Sequence, residues 1–164
     1  MAQKRYGYCA VAASDSDIYI VGEDDSCSLE LFNTVSICWK RYINLIDMPE
    51  RRNYAAAVML QDRYLVVIGG HDKNGNDVAS CFIYDCIFNQ CSSTPVSMDM
   101  NAARIYHAAV KLGGKIIVAG GRYNGFASSM ESLGACDLLG FIPLIYPLPT
   151  FYVNQIRQLG KAND

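Results

Sequence analysis

The chain has 164 residues, with 14 Lys and Arg against 16 Asp and Glu and a net charge of −2. A chain of that length suits one domain with a real core. Apolar residues make up 51% and charged residues 18%, which excludes a disordered chain, and a pI near 5.6 excludes a basic face for nucleic acid.

The start, Met1 to Arg5, is polar, and the next apolar stretch is broken by Ser14, Asp15, Ser16 and Asp17, so no secretory signal is expected. Ile18-Tyr19-Ile20-Val21 reads as a strand closed by Gly22 and Glu23. Asp24 and Asp25 then form a solvated loop without an obvious partner. Glu30-Leu31-Phe32-Asn33 leads on to Trp39 and Met48-Pro49.

A second unit opens with Arg52. Its expected strands are Tyr54 to Leu60, Tyr64 to Ile68, Cys81 to Tyr84 and Asn89 to Val96. Asp62-Arg63 fills the first turn, and a polar loop covers His71 to Asp77. The run Leu65-Val66-Val67-Ile68 suits a strand buried on both faces and ends in Gly69-Gly70. Phe82-Ile83-Tyr84-Asp85 then leads to Cys91 and Met100.

A third unit repeats the second. Arg104-Ile105-Tyr106-His107-Ala108-Ala109-Val110 follows Arg52-Asn53-Tyr54-Ala55-Ala56-Ala57-Val58 at a shift of 52 residues. Gly113-Gly114 reads as a hairpin turn, and Ile116-Ile117-Val118-Ala119 ends in Gly120-Gly121. Glu131-Ser132-Leu133 leads to Leu139 and Leu148-Pro149, with a drift from the pattern after Leu133. Residues 138–153 are apolar but carry Pro143, Pro147 and Pro149, too short and interrupted for a membrane span, and residues 152–164 form a polar tail.

The unit therefore recurs three times at 47 to 52 residues, about 5–51, 52–103 and 104–151. A period near 50 built from strands predicts propeller blades, with almost no helix. The expected fold is all-β, with three four-stranded blades. Propellers have about four to eight blades, so three leave two open edges. Three outcomes follow: part of a larger propeller, two chains closing a six-bladed ring as a homodimer, or an open fragment.

These residues resemble the kelch repeat, which is marked by a double glycine, a Tyr-Asp-like pair, a Trp, Met-Pro and an Arg. The matching marks are Gly22, Gly69, Gly70, Gly120, Gly121, Trp39, Tyr84, Asp85, Met48-Pro49, Arg52 and Arg104. Glu23 replaces the second glycine of the first unit, and Cys91 and Leu139 stand where Trp is expected. A glycine pair permits positive φ and close backbone approach, while Trp and Tyr fill the wedge between sheets.

Seven cysteines, an odd number, and no N-x-S/T sequon favour a reducing, cytoplasmic setting. Cys81, Cys86 and Cys91 lack zinc-site spacing, and neither His71 nor His107 has a metal-ligand partner at a suitable distance along the chain. His107 is expected as a packed strand histidine. Phosphate-loop and nucleophile-elbow patterns are absent, so no cofactor, metal or catalytic residue is assigned.

What remains is recognition of a protein or peptide, without nucleic acid or membrane. The kelch resemblance implies a ligand seated over one face of the propeller. The contacts it implies lie after the double glycine and before the first strand: His71, Asp72, Arg122, Tyr123 and Asn124, with Arg52, Asn53, Tyr54, Arg104 and Tyr106. Arg pairs with carboxylates, so an acidic peptide fits this set. Alternatively, Arg52 and Arg104 tie loop carbonyls as part of the blade. The resemblance further implies a substrate-recognition part of a cullin-type ubiquitin ligase, normally joined to a BTB domain. Actin binding, a fragment of a metal-dependent propeller enzyme and a truncated gene product are the other readings.

Overall fold

The structure is a computed structural model and describes residues 4–22, 26–40, 45–122, 125 and 129–134. Within these, all strand pairing is antiparallel and follows chain order. The first sheet joins β1 (Cys9–Ala12), β2 (Asp17–Val21), β3 (Leu29–Asn33) and β4 (Cys38–Trp39). The second joins β5 (Ala56–Leu60), β6 (Tyr64–Ile68), β7 (Cys81–Asp85) and β8 (Gln90–Ser93). The third joins β9 (Ala108–Leu112), β10 (Lys115–Ala119) and β11 (Met130–Gly134). Its expected fourth strand, with Cys136, Leu139 and residues 138–164, lies outside the described residues. The only helical turn among those described is a 3-10 turn at Val96–Met98.

The strands form where the repeat predicts them. β6 matches its apolar run and is buried along its whole length. β5 begins two residues later than expected, because Tyr54 adopts a left-handed backbone with φ 56°. The β5–β6 turn is centred on Gln61 and Asp62, both at φ 52°, and the Arg63 amide donates to the Leu60 carbonyl at 3.1 Å. Gly113-Gly114 forms the equivalent turn of the third sheet. β8 ends at Ser93, short of the expected Val96, where Pro95 leads into the 3-10 turn.

The first strand of the middle sheet, β5, neighbours both β1 and β9, so the sheets meet at their first strands. Apolar side chains fill the two seams between them. Tyr19, Val21 and Leu31 of the first sheet meet Leu65, Val67 and Tyr84 of the second. Val58, Leu60, Val66 and Ile83 on the opposite face of the second sheet meet Ile116, Val118 and Leu133 of the third. Tyr19 and Tyr84 touch edge to face, with centroids 5.9 Å apart. Met48 and Met100, four residues before Arg52 and Arg104, plug the first and second seams. The Trp39 ring, by contrast, packs on Phe32 of its own sheet at 5.1 Å.

The glycine marks perform the two tasks expected of them. Gly70 has φ 97°, and a Cβ there would lie 2.6 Å from the Asn53 carbonyl oxygen. Gly22 and Gly69 each face the next sheet, where a Cβ would meet the carbonyl oxygens of Arg52 at 2.5 Å and Arg104 at 2.9 Å. Glu23 lies outside the described residues. Asp85 is fully buried: its carboxylate takes Arg63 at 2.6 Å and caps the backbone amides of Ile87 and Phe88. Asn33, at the same place in the first sheet, caps Ser36.

Candidate partner-binding site

The residues proposed from sequence divide into a buried set and a surface set. Arg104 is buried and donates to Glu131 Oε1 at 3.1 Å, to the carbonyls of Gly120 and Ser129, and to Ser129 Oγ at 2.8 Å. Its own carbonyl accepts the Gly70 amide of the preceding sheet at 2.9 Å. Arg52 is likewise buried, reaching Ser80 Oγ and lying 2.7 Å from Glu50. Its guanidinium stands 4.4 Å above the Phe82 ring. Asn53 is buried beside it. Arg52, Asn53 and Arg104 thus present no surface to a partner, and the two arginines tie the loop before each first strand to their own blade.

Sequence reasoning missed the third member of this set. Arg5 is buried and donates to Glu30 Oε2 at 3.0 Å and to Ser28 Oγ at 2.8 Å. A signal exists in the spacing: Arg5 precedes Val11 by the same six residues that separate Arg52 from Val58 and Arg104 from Val110. The serine and the acid also repeat, as Ser28 with Glu30 and Ser129 with Glu131. In the second sheet Ser80 is kept, and Phe82 replaces the acid with an aromatic face.

The surface set clusters where the first strands begin. Tyr54 and Tyr106 each have φ 56°, and their rings lie 4.4 Å apart. Gly7 holds the same backbone at φ 62° in the first sheet. A ladder runs across the three positions, with the Tyr54 amide donating to Gly7 O at 2.7 Å and the Tyr106 amide to Tyr54 O at 3.1 Å. The residue after each double glycine lies beside this ladder. His71 pairs with Asn53 through both backbone groups, and Arg122 pairs with Ile105 in the same way.

The His71 ring meets Tyr54 edge-on at 5.7 Å, and its Nε2 lies 2.7 Å from Asp77 Oδ1. Asp72 is turned into its own loop, accepting the amides of Asn74 at 2.7 Å and Asn76 at 2.9 Å. Burial works to raise its carboxyl, but those donors outweigh it and hold the carboxyl below the usual carboxylate range. The Tyr106 phenol is pushed up by desolvation and by Tyr54, with Arg122 pulling the other way. Tyr106, Lys73 and Arg122 are exposed. Tyr123 and Asn124 lie outside the described residues, as do Asp24 and Asp25.

His107, outside this cluster, is buried in the second seam, where desolvation pulls its imidazole below the ordinary value and the Ile68 backbone opposes that pull. Among the described residues no group of three or more His, Cys, Asp or Glu side chains is placed to hold a metal ion. Burial pushes the thiols of Cys81 and Cys91 up to about 12, far from a reactive thiolate.

Residues 51–95 match the family model of the Kelch motif. The second sheet thus carries a kelch-like motif. No curated protein matches the chain. The match runs from Arg51 through the β5–β8 sheet to Pro95, so it contains Arg52, the Gly69-Gly70 pair and Tyr84-Asp85. The first and third sheets carry a buried arginine at the place of Arg52 in this matched sheet.

Proposed function

We propose that the chain is a protein-interaction module that holds an acidic segment of a partner over Tyr54, His71, Tyr106 and Arg122. The observation that carries this reading is the pair of tyrosines at φ 56°. A bulky side chain in the left-handed region costs about 1–2 kcal/mol, and Gly7 occupies the equivalent place in the first blade without that strain. Strain kept at two consecutive blades supports a use for the rings rather than for the turn alone. Tyr and Arg are the side chains that concentrate binding energy at protein interfaces.

Charge favours an acidic occupant. The Asp77 carboxylate is engaged by His71, and that of Asp72 by its own loop. Arg122 is exposed and acts on the Tyr106 phenol, and the exposed Lys73 lies two residues beyond His71. Arg122 is the residue best suited to a bidentate carboxylate contact. Selection from a random peptide library against the full chain should enrich Asp- and Glu-rich segments. Arg122→Ala and Tyr106→Gly should each weaken the enriched peptide at least tenfold. Enrichment of basic or uncharged peptides, or indifference to both substitutions, contradicts the reading. Two settings for such a module follow from the kelch resemblance, substrate recognition for a cullin-type ubiquitin ligase and actin binding. Ubiquitin transfer to the captured partner and co-sedimentation with actin filaments separate them.

A further inference from the structure

Successive residues of a strand point to opposite faces, so each blade has two apolar faces with separate duties. In the middle blade, Val58, Leu60 and Cys81 belong to the face covered by the third blade and are 4%, 1% and 0% exposed. The same positions in the third blade are Val110, Leu112 and Met130. They are 56%, 69% and 70% exposed. Among the described residues no further blade covers this blade-facing surface.

The first blade supplies a face that would seat on such a surface. The third blade covers Val58 and Leu60 with Ile116, Val118 and Leu133, beside Glu131 held by Arg104. In the first blade Tyr19 and Val21 face the middle blade, so Ile18, Ile20, Glu30 and Phe32 point the other way. These four match Ile116, Val118, Glu131 and Leu133 position for position, and Glu30 is held by Arg5 as Glu131 is by Arg104. The chain therefore carries both halves of one seam, on opposite ends.

We propose that a second copy of this chain seats the outer face of its β1–β4 sheet on the exposed face of β9–β11. The contact is head to tail, and it continues the two established seams with the same residue types. The backbone ladder extends with it: the Gly7 amide of the second copy is the next donor, and the Tyr106 carbonyl the next acceptor. A head-to-tail contact closes into a ring or grows into a filament. Each copy brings three sheets, and propellers close with about four to eight, a range whose only multiple of three is six. Two copies therefore close the ring.

Light scattering of the full chain after size exclusion, at several concentrations, tests this. The proposal expects a mass of twice 18.1 kDa. Leu112→Glu, on the exposed face, and Ile18→Glu, on the outer face of the first blade, should each reduce it to a single chain. Mixing the two variants should restore the doubled mass, because the intact β1–β4 face of the Leu112→Glu chain meets the intact β9–β11 face of the Ile18→Glu chain. That recovery also shows that neither variant has unfolded. A single-chain mass for the unaltered protein means that the face is covered otherwise, for example by residues 135–164, and overturns the proposal. So does a doubled mass that survives Ile18→Glu but not Leu112→Glu, which marks a symmetric contact between two β9–β11 faces. Mixed variants that stay single chains overturn it too.

Discussion

Arg104 and Arg122 sit eighteen residues apart in the sequence, yet they predict opposite behaviour. Arg104 is buried against Glu131, whose side chain is also buried. Removing one member of such a pair leaves an uncompensated buried charge and costs about 3 kcal/mol or more. Arg104→Ala should lower the urea midpoint accordingly, whereas Arg122→Ala, at the surface, should leave stability within about 0.5 kcal/mol. Equal effects in urea unfolding would refute this division of roles. His107 gives the pH dependence. Burial disfavours its charged form, so its folded-state pKa lies below the ordinary 6.5 and the unfolded chain binds the proton more readily. Stability should then fall as pH drops through about 6.5 towards the folded-state value. The slope between about pH 7.5 and 5.5 should flatten in His107→Phe. A slope identical in both proteins would assign the acid sensitivity elsewhere.

At the level of the blade, the paired glycines are the most constrained positions. Gly70 combines positive φ with a carbonyl oxygen 2.6 Å from where a Cβ would sit, while Gly75, at φ 78°, faces open space. Gly70→Ala should cost about 2 kcal/mol or more, and Gly75→Ala about 1 kcal/mol from backbone strain alone. Thermal unfolding of the two variants checks the order. These marks were legible because a glycine pair closing an apolar run suits little besides a strand end where two backbones meet. The strands were legible for a related reason: β6 shows its double burial in the run Tyr64–Ile68. Less was legible at the arginines. A repeated Arg reads equally as a ligand contact or a brace, and only the partners Glu30, Ser80 and Glu131 decide between them. Arg5 is harder still to see, because between it and Val11 only Ala10 keeps the residue of the later copies, Ala57 and Ala109. The left-handed backbone at Tyr54 and Tyr106 had no sequence signal, since Tyr does not advertise positive φ as Gly7 does.

Across the whole molecule, the buried arginines, paired glycines and plugging methionines position the tyrosine ladder at one end of the first strands. The blades hold the rings of Tyr54 and Tyr106 4.4 Å apart, with His71 and Arg122 fixed beside them by backbone pairing. A site so built needs little rearrangement on binding, which favours affinity through preorganisation. The proposed function depends above all on this cluster holding the partner. Amide chemical-shift mapping of the full chain, titrated with an enriched acidic peptide, locates the contact directly. The predicted result is a set of shifts centred on Tyr54, His71, Tyr106 and Arg122, and lost in Arg122→Ala. Shifts concentrated instead on the outer strands β4 and β8, with those four amides unmoved, would contradict it.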